Sequence, residues 1–170
     1  MYTSLISTDE LARQLSDPAL VLVDCRHNLS DVDAGQRAYG ASHLPGARFM
    51  HMDRDLSGER TGSNGRHPLP EVAALSGSLS RAGIDASKQV VAYDQNNGMW
   101  ASRLWWLLHW LGHDAAAVLD GGIDKWIAEG RPITADRPSV QSARFVAMTP
   151  VSGMSTKEPA SRPARSARAT

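Results

Sequence analysis

The sequence lacks an excess of one charge, a long apolar run and a second cysteine. Its 18 basic and 18 acidic residues give a formal net charge of zero, without the basic excess that is typical of nucleic-acid-binding proteins. No apolar run approaches the roughly 20 residues that cross a bilayer, and the first residues lack the basic and apolar regions of an export signal. Cys25, the single cysteine, excludes an internal disulfide. We therefore expect a cytoplasmic protein that binds neither nucleic acid nor membrane.

The histidines do not form a metal-ligand pattern in the sequence. Of the six, only His109 and His113 lie at helical spacing, and Gly112 is expected to end the helix between them. No carboxylate completes a ligand set at this place. We therefore expect no bound metal and no other cofactor.

Apolar runs alternate with segments of helical periodicity along the chain. Continuous apolar runs are typical of strands buried on both faces, and they predict strands at 19–24, 47–50, 89–93 and 116–119. Helical spacing predicts helices at 7–15, 70–82, 99–111 and 123–129, the last three followed by glycines. Ser7 and Glu10 form a predicted capping box, and Pro70 is placed in a first helical turn. The alternation predicts an α/β fold with a central parallel sheet and helices on both faces.

The end of the chain differs in composition from the rest. Residues 151–170 contain no aromatic side chain, only one β-branched aliphatic residue, and four basic residues against one acidic residue. Such a segment buries too little apolar area to offset its chain entropy. We assign the folded domain to residues 1–135 and expect 136–170 to be irregular and disordered. We interpret this tail as an extension without a function; the alternative is a basic interaction segment.

The segment Val90–Trp126 carries the strongest functional signal. A predicted strand leads into a polar loop that is followed at once by a helix. The backbone N–H groups of such a loop and the N-terminus of its helix point at one place, an arrangement that binds anions. A nucleophile would occupy the first loop position, which is Asp94. We interpret Asp94 as a cap over the helix; the alternative is a general base.

Other candidate residues follow the first core strand or lie in turns. Cys25 is placed at the carboxyl end of a strand, where open α/β sheets carry their sites, but no glycine-rich loop follows it to lower its pKa. We interpret it as a small buried residue; the alternative is a nucleophile. Asp24 and Arg26 are expected to form a structural ion pair, although Arg26 could instead bind an anion. His43 is expected to brace its turn. The Arg103 side chain is expected to face either the anion-binding loop or solvent, and the sequence favours neither.

Five groups of residues occur in the order and at the spacing of a known family. They are Val23–Arg26, Tyr39–Ala47, Tyr93–Asp94 with Ala101–Trp106, Leu111–His113, and Leu119–Gly122 followed by Trp126. On these motifs the chain resembles the rhodanese (thiosulfate sulfurtransferase) family, in particular the N-terminal half of two-domain members that include the 3-mercaptopyruvate sulfurtransferases. The resemblance implies a single rhodanese-like domain. It assigns motif roles to Asp24, Arg26, His43, Pro45, Gly46, Asp120, Gly121, Gly122 and Trp126.

The resemblance also implies a substrate loop and its chemistry. In the family, a cysteine at the first loop position attacks the outer sulfur of an anionic donor. It becomes a persulfide and passes the sulfur to a thiophilic acceptor. The matching anion-binding residues here are Asp94, Gln95, Asn96, Asn97, Gly98 and Arg103. Asp94 stands in the nucleophile position, and a carboxylate cannot form a persulfide.

The resemblance therefore implies a catalytically silent domain of the N-terminal type. The alternative is an active sulfurtransferase that uses Cys25 or acts with a separate catalytic half, and only an active protein would bind a small anionic sulfur donor. A phosphatase of the related class would also need a cysteine in the loop, and the loop has none.

The expected partner is a catalytic rhodanese half or a second copy of this chain. The 38 residues after Pro132 are too few for another such domain, so we expect a truncated or frameshifted remnant of a two-domain enzyme. The predicted helix at 99–111 carries four tryptophans, which cannot all face the core. At least one of them is expected to be exposed or to face the partner.

Overall fold

The computed structural model describes residues 1–148, which form a parallel sheet of five strands with helices on both faces. The elements, in chain order, are β1 (Leu5–Ile6), α1 (Thr8–Ala12), β2 (Leu20–Asp24), α2 (Ala34–Ala41), β3 (Arg48–Phe49), α3 (Val72–Arg81), β4 (Gln89–Tyr93), α4 (Ala101–Trp110), β5 (Ala116–Leu119) and α5 (Gly122–Ala128). The strand order is β1-β5-β4-β2-β3, and every pairing is parallel. The predicted α/β class is confirmed.

Successive residues of the central strands supply two cores, one on each face of the sheet. Val21 and Val23 of β2 pack with α3 and α4, whereas Leu22 packs with α1 and α5. Side chains alternate across a strand, so a strand that is apolar at every position fills both faces. Trp126 of α5 is fully buried in the second core. Burial of each such large side chain contributes about 1.5–3 kcal/mol to the stability of the fold. This packing holds the loops at the carboxyl edge of the sheet in place.

Most predicted helices and strands are present, with shifted ends. The capping box is formed, because Ser7 Oγ accepts the N–H of Glu10 at 3.3 Å and Glu10 Oε2 accepts the N–H of Ser7 at 3.0 Å. The placement of Pro70 in a helical turn is wrong. α3 begins at Val72 after the extended Glu71, whose carbonyl accepts the first helical bond, from Leu75. In the part of the chain that the structure describes, no helix is long and apolar enough to cross a membrane.

Two elements escaped the sequence analysis. β1 has two residues and pairs Leu5 with Val118 of β5, which is too short to show any periodicity. α2 contains two glycines and buries only one large side chain, Tyr39, so its apolar pattern is weak. Both elements form through contacts with the rest of the domain: β1 pairs with β5, and α2 packs through its buried side chain. These tertiary contacts override the weak local propensity.

The four tryptophans are distributed around the start and length of α4. Trp100 precedes the helix as its N-cap, so it does not lie within the helix as predicted. Trp100, Trp105, Trp106 and Trp110 are all half-buried against the core. The Trp105 indole N–H donates to the Thr3 carbonyl at 2.8 Å. None of these four tryptophans is fully exposed, and each remains partly accessible to solvent.

The segment 136–148 has no helix or strand but packs on the domain. Phe145 is buried in the core with α3 and α4. The N–H of Met148 donates to the Leu111 carbonyl at 2.9 Å, and the N–H of Ala143 donates to that of Ser80 at 2.9 Å. A buried aromatic side chain and backbone bonds thus hold residues 136–148 on the domain, and the domain boundary at residue 135 stays a prediction. The predicted disorder of the rest of the tail, 149–170, falls outside the described residues.

Candidate functional site

The carboxyl ends of β2, β4 and β5 meet at one edge of the sheet, where parallel α/β proteins place their sites. The loop after β4, residues 94–98, lies against the start of α5. The N–H groups of Ile123 and Asp124 donate to the carbonyls of Asp94 and Gln95, each at 2.9 Å. Gly122 allows this approach, because a Cβ there would lie 2.6 Å from the Asp94 carbonyl oxygen and its φ is +58°.

The Asp94 side chain fills the cradle formed by its own loop. Oδ1 accepts the N–H of Gly98 at 3.0 Å, and Oδ2 accepts those of Trp100 at 2.8 Å and Ala101 at 3.2 Å. Only 1% of the residue is exposed. These are the contacts that the capping interpretation predicts. Both carboxylate oxygens already accept hydrogen bonds from backbone N–H groups and the residue is buried, so the carboxylate is poorly placed to act as a general base on a substrate.

The remaining loop side chains support the loop itself. Gln95 Nε2 donates to the His27 carbonyl at 2.8 Å, which ties the loop to the end of β2. Asn97 Oδ1 accepts the N–H of Met99 at 3.1 Å. Asn96 and Asn97 are exposed, and Gly98 adopts a φ of +73°. The loop therefore presents polar side chains to solvent while its N–H groups face inward to Asp94.

Arg103 lies in neither of the two places left open by the sequence. Its guanidinium donates to the carbonyls of Leu56 at 3.3 Å, His67 at 3.2 Å and Pro68 at 3.0 Å. Burial lowers the pKa of this half-buried side chain. Arg103 thus fastens the long loop before α3 to α4 and cannot reach the anion cradle at the same time.

Cys25 has the environment of an inert core residue. It is 1% exposed, and its Sγ lies 4.0 Å from the Val23 carbonyl. Burial raises the pKa of its thiol well above the usual value, and the carboxylates of Asp24 and Asp94 raise it further. Because the thiolate is the reactive form, these surroundings suppress nucleophilic chemistry.

A histidine–aspartate cluster, His27, Asp53 and His67, lies beside the Asp94 loop. His67 Nε2 is 3.2 Å from Asp53 Oδ1, and the rings of His27 and His67 have centroids 5.6 Å apart. The Trp100 ring lies 4.9 Å from that of His27, so the cluster adjoins the first turn of α4. The sequence analysis missed this cluster because its members are far apart in the chain.

The fold and this edge of the sheet agree with comparisons to known proteins. The model of the rhodanese-like domain family matches residues 7–129. This chain belongs to the rhodanese-like domain family. The family assignment predicted from the five motifs is therefore confirmed, and the matched residues include β2 to β5 and the Asp94 loop.

Relatives of this rhodanese-like domain are named as sulfurtransferases. A probable 3-mercaptopyruvate sulfurtransferase of Pseudomonas aeruginosa is 44% identical over 143 residues, which are 83% of this chain and 50% of the relative. A putative thiosulfate sulfurtransferase of Mycobacterium tuberculosis is 39% identical over 139 residues, 81% of this chain and 48% of the relative. The 3-mercaptopyruvate sulfurtransferase of Leishmania major superposes with a TM-score of 0.76 at 31% identity, over 85% of this chain and 39% of that one. The chain thus spans about half the length of the curated relatives it matches.

The rhodanese motif residues at the end of β2 form a buried ion pair. Arg26 Nε and Nη2 donate to Asp24 Oδ2 at 2.9 and 2.7 Å, and Nη2 also donates to the Ser42 carbonyl at 2.6 Å. Burial raises the pKa of the Asp24 carboxyl, and the hydrogen bonds and charge of Arg26 oppose that rise. The guanidinium of Arg26 is thus used internally, as the ion-pair interpretation predicts, and not for an outside anion.

The other motif residues hold turns of the rhodanese-like domain. His43 is buried, with Nδ1 2.8 Å from the Tyr39 carbonyl and Nε2 3.2 Å from that of Asp136. The Trp126 indole donates to the Pro132 carbonyl at 2.8 Å. Pro45 and Gly46 lie in the turn after His43, Asp120 and Gly121 precede α5, and the buried Gly122 is the first residue of that helix. None of these side chains enters the Asp94 cradle.

The histidine–aspartate cluster holds ionisable groups at this edge of the sheet, of which His67 and Asp53 are partly exposed and His27 is buried. Burial lowers the pKa of both His27 and His67, so both imidazoles are neutral at pH 7. Burial raises the pKa of the Asp53 carboxyl, but the hydrogen bond and charge of Arg60 lower it by more. The net change is downward, so Asp53 is ionised. His27 Nε2 is buried without a hydrogen-bond partner among residues 1–148, and His67 Nε2 is buried with only the ion-pair contact to Asp53 Oδ1 at 3.2 Å. The cluster can therefore accept or relay a proton.

The same cluster is the place where a metal would find ligands. One ligand atom from each of the three residues lies within 4.8 Å of the others, a grouping that the sequence analysis did not predict. Two imidazoles and a carboxylate suit a zinc-type ion. However, Arg60 Nη2 already occupies Asp53 Oδ1 at 2.5 Å, and this guanidinium would repel a cation. The arrangement favours proton chemistry over metal binding.

Proposed function

We propose that this rhodanese-like domain is a catalytically silent half of a sulfurtransferase that works together with a catalytic rhodanese half. The observation that carries the proposal is the Asp94 carboxylate, which accepts the backbone N–H groups of Gly98, Trp100 and Ala101. In the family these donors serve a cysteine and its anionic substrate. In this chain the Asp94 carboxylate, an internal anion, takes the place of that cysteine and its substrate.

Three chemical consequences support silence of the isolated domain. A carboxylate has no thiol and cannot take a sulfur atom. Its negative charge would also repel thiosulfate or 3-mercaptopyruvate, the anions in the names of the relatives, from the cradle. The one thiol in the chain, Cys25, is buried and has a raised pKa, so it is a poor replacement.

The catalytic half is inferred from chain length and from an open polar edge. Relatives named as sulfurtransferases are about twice as long as the matched region. The histidine–aspartate cluster adjoins the Asp94 loop and is partly open, with 18% and 21% of the His67 and Asp53 side chains exposed. We propose that a catalytic half would cover this edge and that these neutral imidazoles would serve proton transfer in the joint site.

The test is sulfur transfer from thiosulfate to cyanide, and from 3-mercaptopyruvate, by the purified chain. Cys25→Ser is the matched variant, since it removes the sole thiol. We expect no turnover above buffer for either protein with either donor. Turnover by the unaltered chain that disappears in Cys25→Ser would show an active enzyme with its nucleophile on β2 and would refute the proposal.

The joint site has its own test. A separately expressed catalytic rhodanese domain from one of the named relatives is mixed with this chain, and with a His67→Gln variant as the comparison. We expect added chain to raise turnover of the catalytic domain, and His67→Gln to reduce that gain. Equal gains from both proteins would remove the cluster from the proposed role, and no gain would refute the pairing.

A further inference from the structure

A cavity lies away from the Asp94 loop, at the edge of the sheet beside β3. Its volume is about 380 Å³, within the range of small-molecule sites. The walls come from α2, β3, α3 and the segment around Arg137 that follows the last helix. Tyr39 closes one side, and its hydroxyl donates to the Ala47 carbonyl at 2.8 Å. Nothing in the sulfurtransferase chemistry of the family loop uses this cavity.

The cavity is lined by positive charge. Three arginines contribute to its wall, Arg48, Arg81 and Arg137, against one carboxylate, Asp55. Asp55 is partly committed elsewhere, because its Oδ2 accepts the N–H of His51 at 2.7 Å. Among residues 1–148 none of the three arginines forms a salt bridge. We refer to this site as the arginine cavity.

Arg48 is the residue of the arginine cavity that most needs a counter-charge. Its Nε and Nη1 atoms are buried and have no hydrogen-bond partner in the described part of the chain. Burial lowers the pKa of its guanidinium. Buried charges in proteins are normally paired, because an unpaired one carries a large desolvation cost. Arg48 therefore lines the arginine cavity with a partly buried positive charge that no acceptor among residues 1–148 pairs.

We propose that the arginine cavity binds a small anion that carries two or more negative charges on phosphoryl or carboxylate groups. Arginine is the side chain best suited to both groups, since its planar guanidinium matches their oxygens and stays charged. The volume excludes a large ligand but accommodates a metabolite. The Arg81 guanidinium, which donates to Ser78 Oγ at 2.9 Å, and the exposed Arg137 would close around the anion from opposite walls.

The first experiment measures binding of two probes, pyrophosphate and succinate, by calorimetry in a low-salt chloride buffer. Arg48→Gln and Arg137→Gln test the cavity, and Arg13→Gln, an exposed arginine after α1, removes the same charge elsewhere. Because a hydrogen bond to a charged group contributes about 1.5–3 kcal/mol, Arg48→Gln should weaken binding about tenfold or more. Arg13→Gln should leave it within about twofold, as expected for a distant exposed charge.

The two probes separate the possible ligand chemistries. Binding of pyrophosphate alone would assign the cavity to phosphoryl groups, and binding of succinate alone to carboxylates. Either result supports the proposal if Arg48→Gln reduces it. No binding of either probe at millimolar concentration, or equal losses in Arg48→Gln and Arg13→Gln, would overturn it.

A second experiment distinguishes a binding residue from a structural one. Thermal unfolding of Arg48→Met is compared with that of the unaltered chain, in low-salt chloride buffer and in the same buffer with pyrophosphate. Removing a desolvated, unpaired cation should leave the unfolding temperature unchanged or higher without the probe, as is common for residues kept for binding. The upward shift caused by pyrophosphate should be lost. A large drop in unfolding temperature with the pyrophosphate shift retained would make Arg48 structural and refute the proposal.

Discussion

Oδ2 of Asp94 accepts the backbone N–H of Trp100 at 2.8 Å, so the loop after β4 and the start of α4 share one internal anion. A carboxylate at this position does what a bound anion or thiolate does in a catalytic loop: it neutralises the N–H groups that no helical carbonyl can reach. The loop keeps its shape without a substrate. Stability and reactivity at this site are therefore linked, and both can be measured.

Asp94→Ala should destabilise the domain by about 2 kcal/mol, because three N–H groups lose their acceptor. Asp94→Asn keeps one acceptor oxygen and should lose less. Urea unfolding followed by circular dichroism gives both free energies. Asp120→Ala is the control, since its carboxylate is exposed and, among residues 1–148, pairs only with Lys125, and it should change the free energy of unfolding by less than about 1 kcal/mol. Equal losses at 94 and 120 would contradict a capping role.

A thiol placed in the cradle should be acidic. Asp94→Cys in a Cys25→Ser background would put a single sulfur where the N–H groups of the loop converge, and such donors stabilise a thiolate. The pH dependence of alkylation by iodoacetamide reports the pKa, which we expect below the usual value of about 8.5. Asn96→Cys in the same background, at an exposed position of the same loop, is the comparison. If the two thiols titrate together, the cradle does not stabilise negative charge.

Breaking the buried pair of Asp24 and Arg26 should be among the most damaging changes. Arg26→Met leaves a buried carboxylate without its partner, which costs about 3–5 kcal/mol. The double variant Asp24→Asn with Arg26→Met should lose less than the sum of the two single variants, since no uncompensated charge remains. Chemical unfolding of the four proteins gives the coupling energy. A strictly additive cycle would show that the two groups do not act as a pair.

Stability should fall as the pH is lowered below neutrality. Burial lowers the pKa values of His27, His67 and His113 in the folded state, so the unfolded chain binds protons first. Their contribution is fully present above the unfolded pKa of about 6.5 and is lost as the pH falls from there towards the folded values. Unfolding free energies between pH 8 and pH 5 should show this slope, and a variant with all three changed to Gln should show a smaller one. An unchanged slope would assign the effect to other groups.

Arg103 should control the mobility of the long loop before α3. Arg103→Met removes the bonds to the carbonyls of Leu56, His67 and Pro68 while keeping an apolar stem. Hydrogen exchange in residues 53–68 should become faster, with exchange in β4 unaffected. Ser102→Ala removes a hydroxyl that donates to the nearby Met99 carbonyl, and this variant should leave the loop protected. If exchange in residues 53–68 stays slow in Arg103→Met, contacts other than those of Arg103 stabilise the loop.

The sheet and its main helices were predictable from sequence because their signals are local. The runs that became β2, β4 and β5 are apolar at nearly every position, and the glycines after α3, α4 and α5 adopt φ values of +72°, +80° and +70°. The anion-cradle position of Asp94 also followed from a strand, a polar loop and a helix in succession. Features of this kind need no knowledge of distant contacts.

The features that were missed depend on contacts between distant parts of the chain. His27 and His67 meet across the edge of the sheet, and nothing in their local sequences announces it. Phe145 reaches the core from a segment without regular structure, and the composition of that segment predicts an irregular tail. Arg103 finds carbonyls of a loop more than thirty positions earlier. Such pairings are set by how elements pack, which periodicity does not encode.

The close approach of Gly122 to the carbonyls of Asp94 and Gln95 has a practical consequence for redesign of the loop. The N–H groups of Ile123 and Asp124 bind the carbonyls of the first two loop residues, so these two backbone bonds remain when the Asp94 or Gln95 side chain is exchanged, although the side-chain contacts described above are lost. Loop length has no such freedom, because one inserted residue would move a carbonyl out of line with α5. A library that varies chemistry at a constant number of residues will keep the scaffold, and one that varies length will lose it.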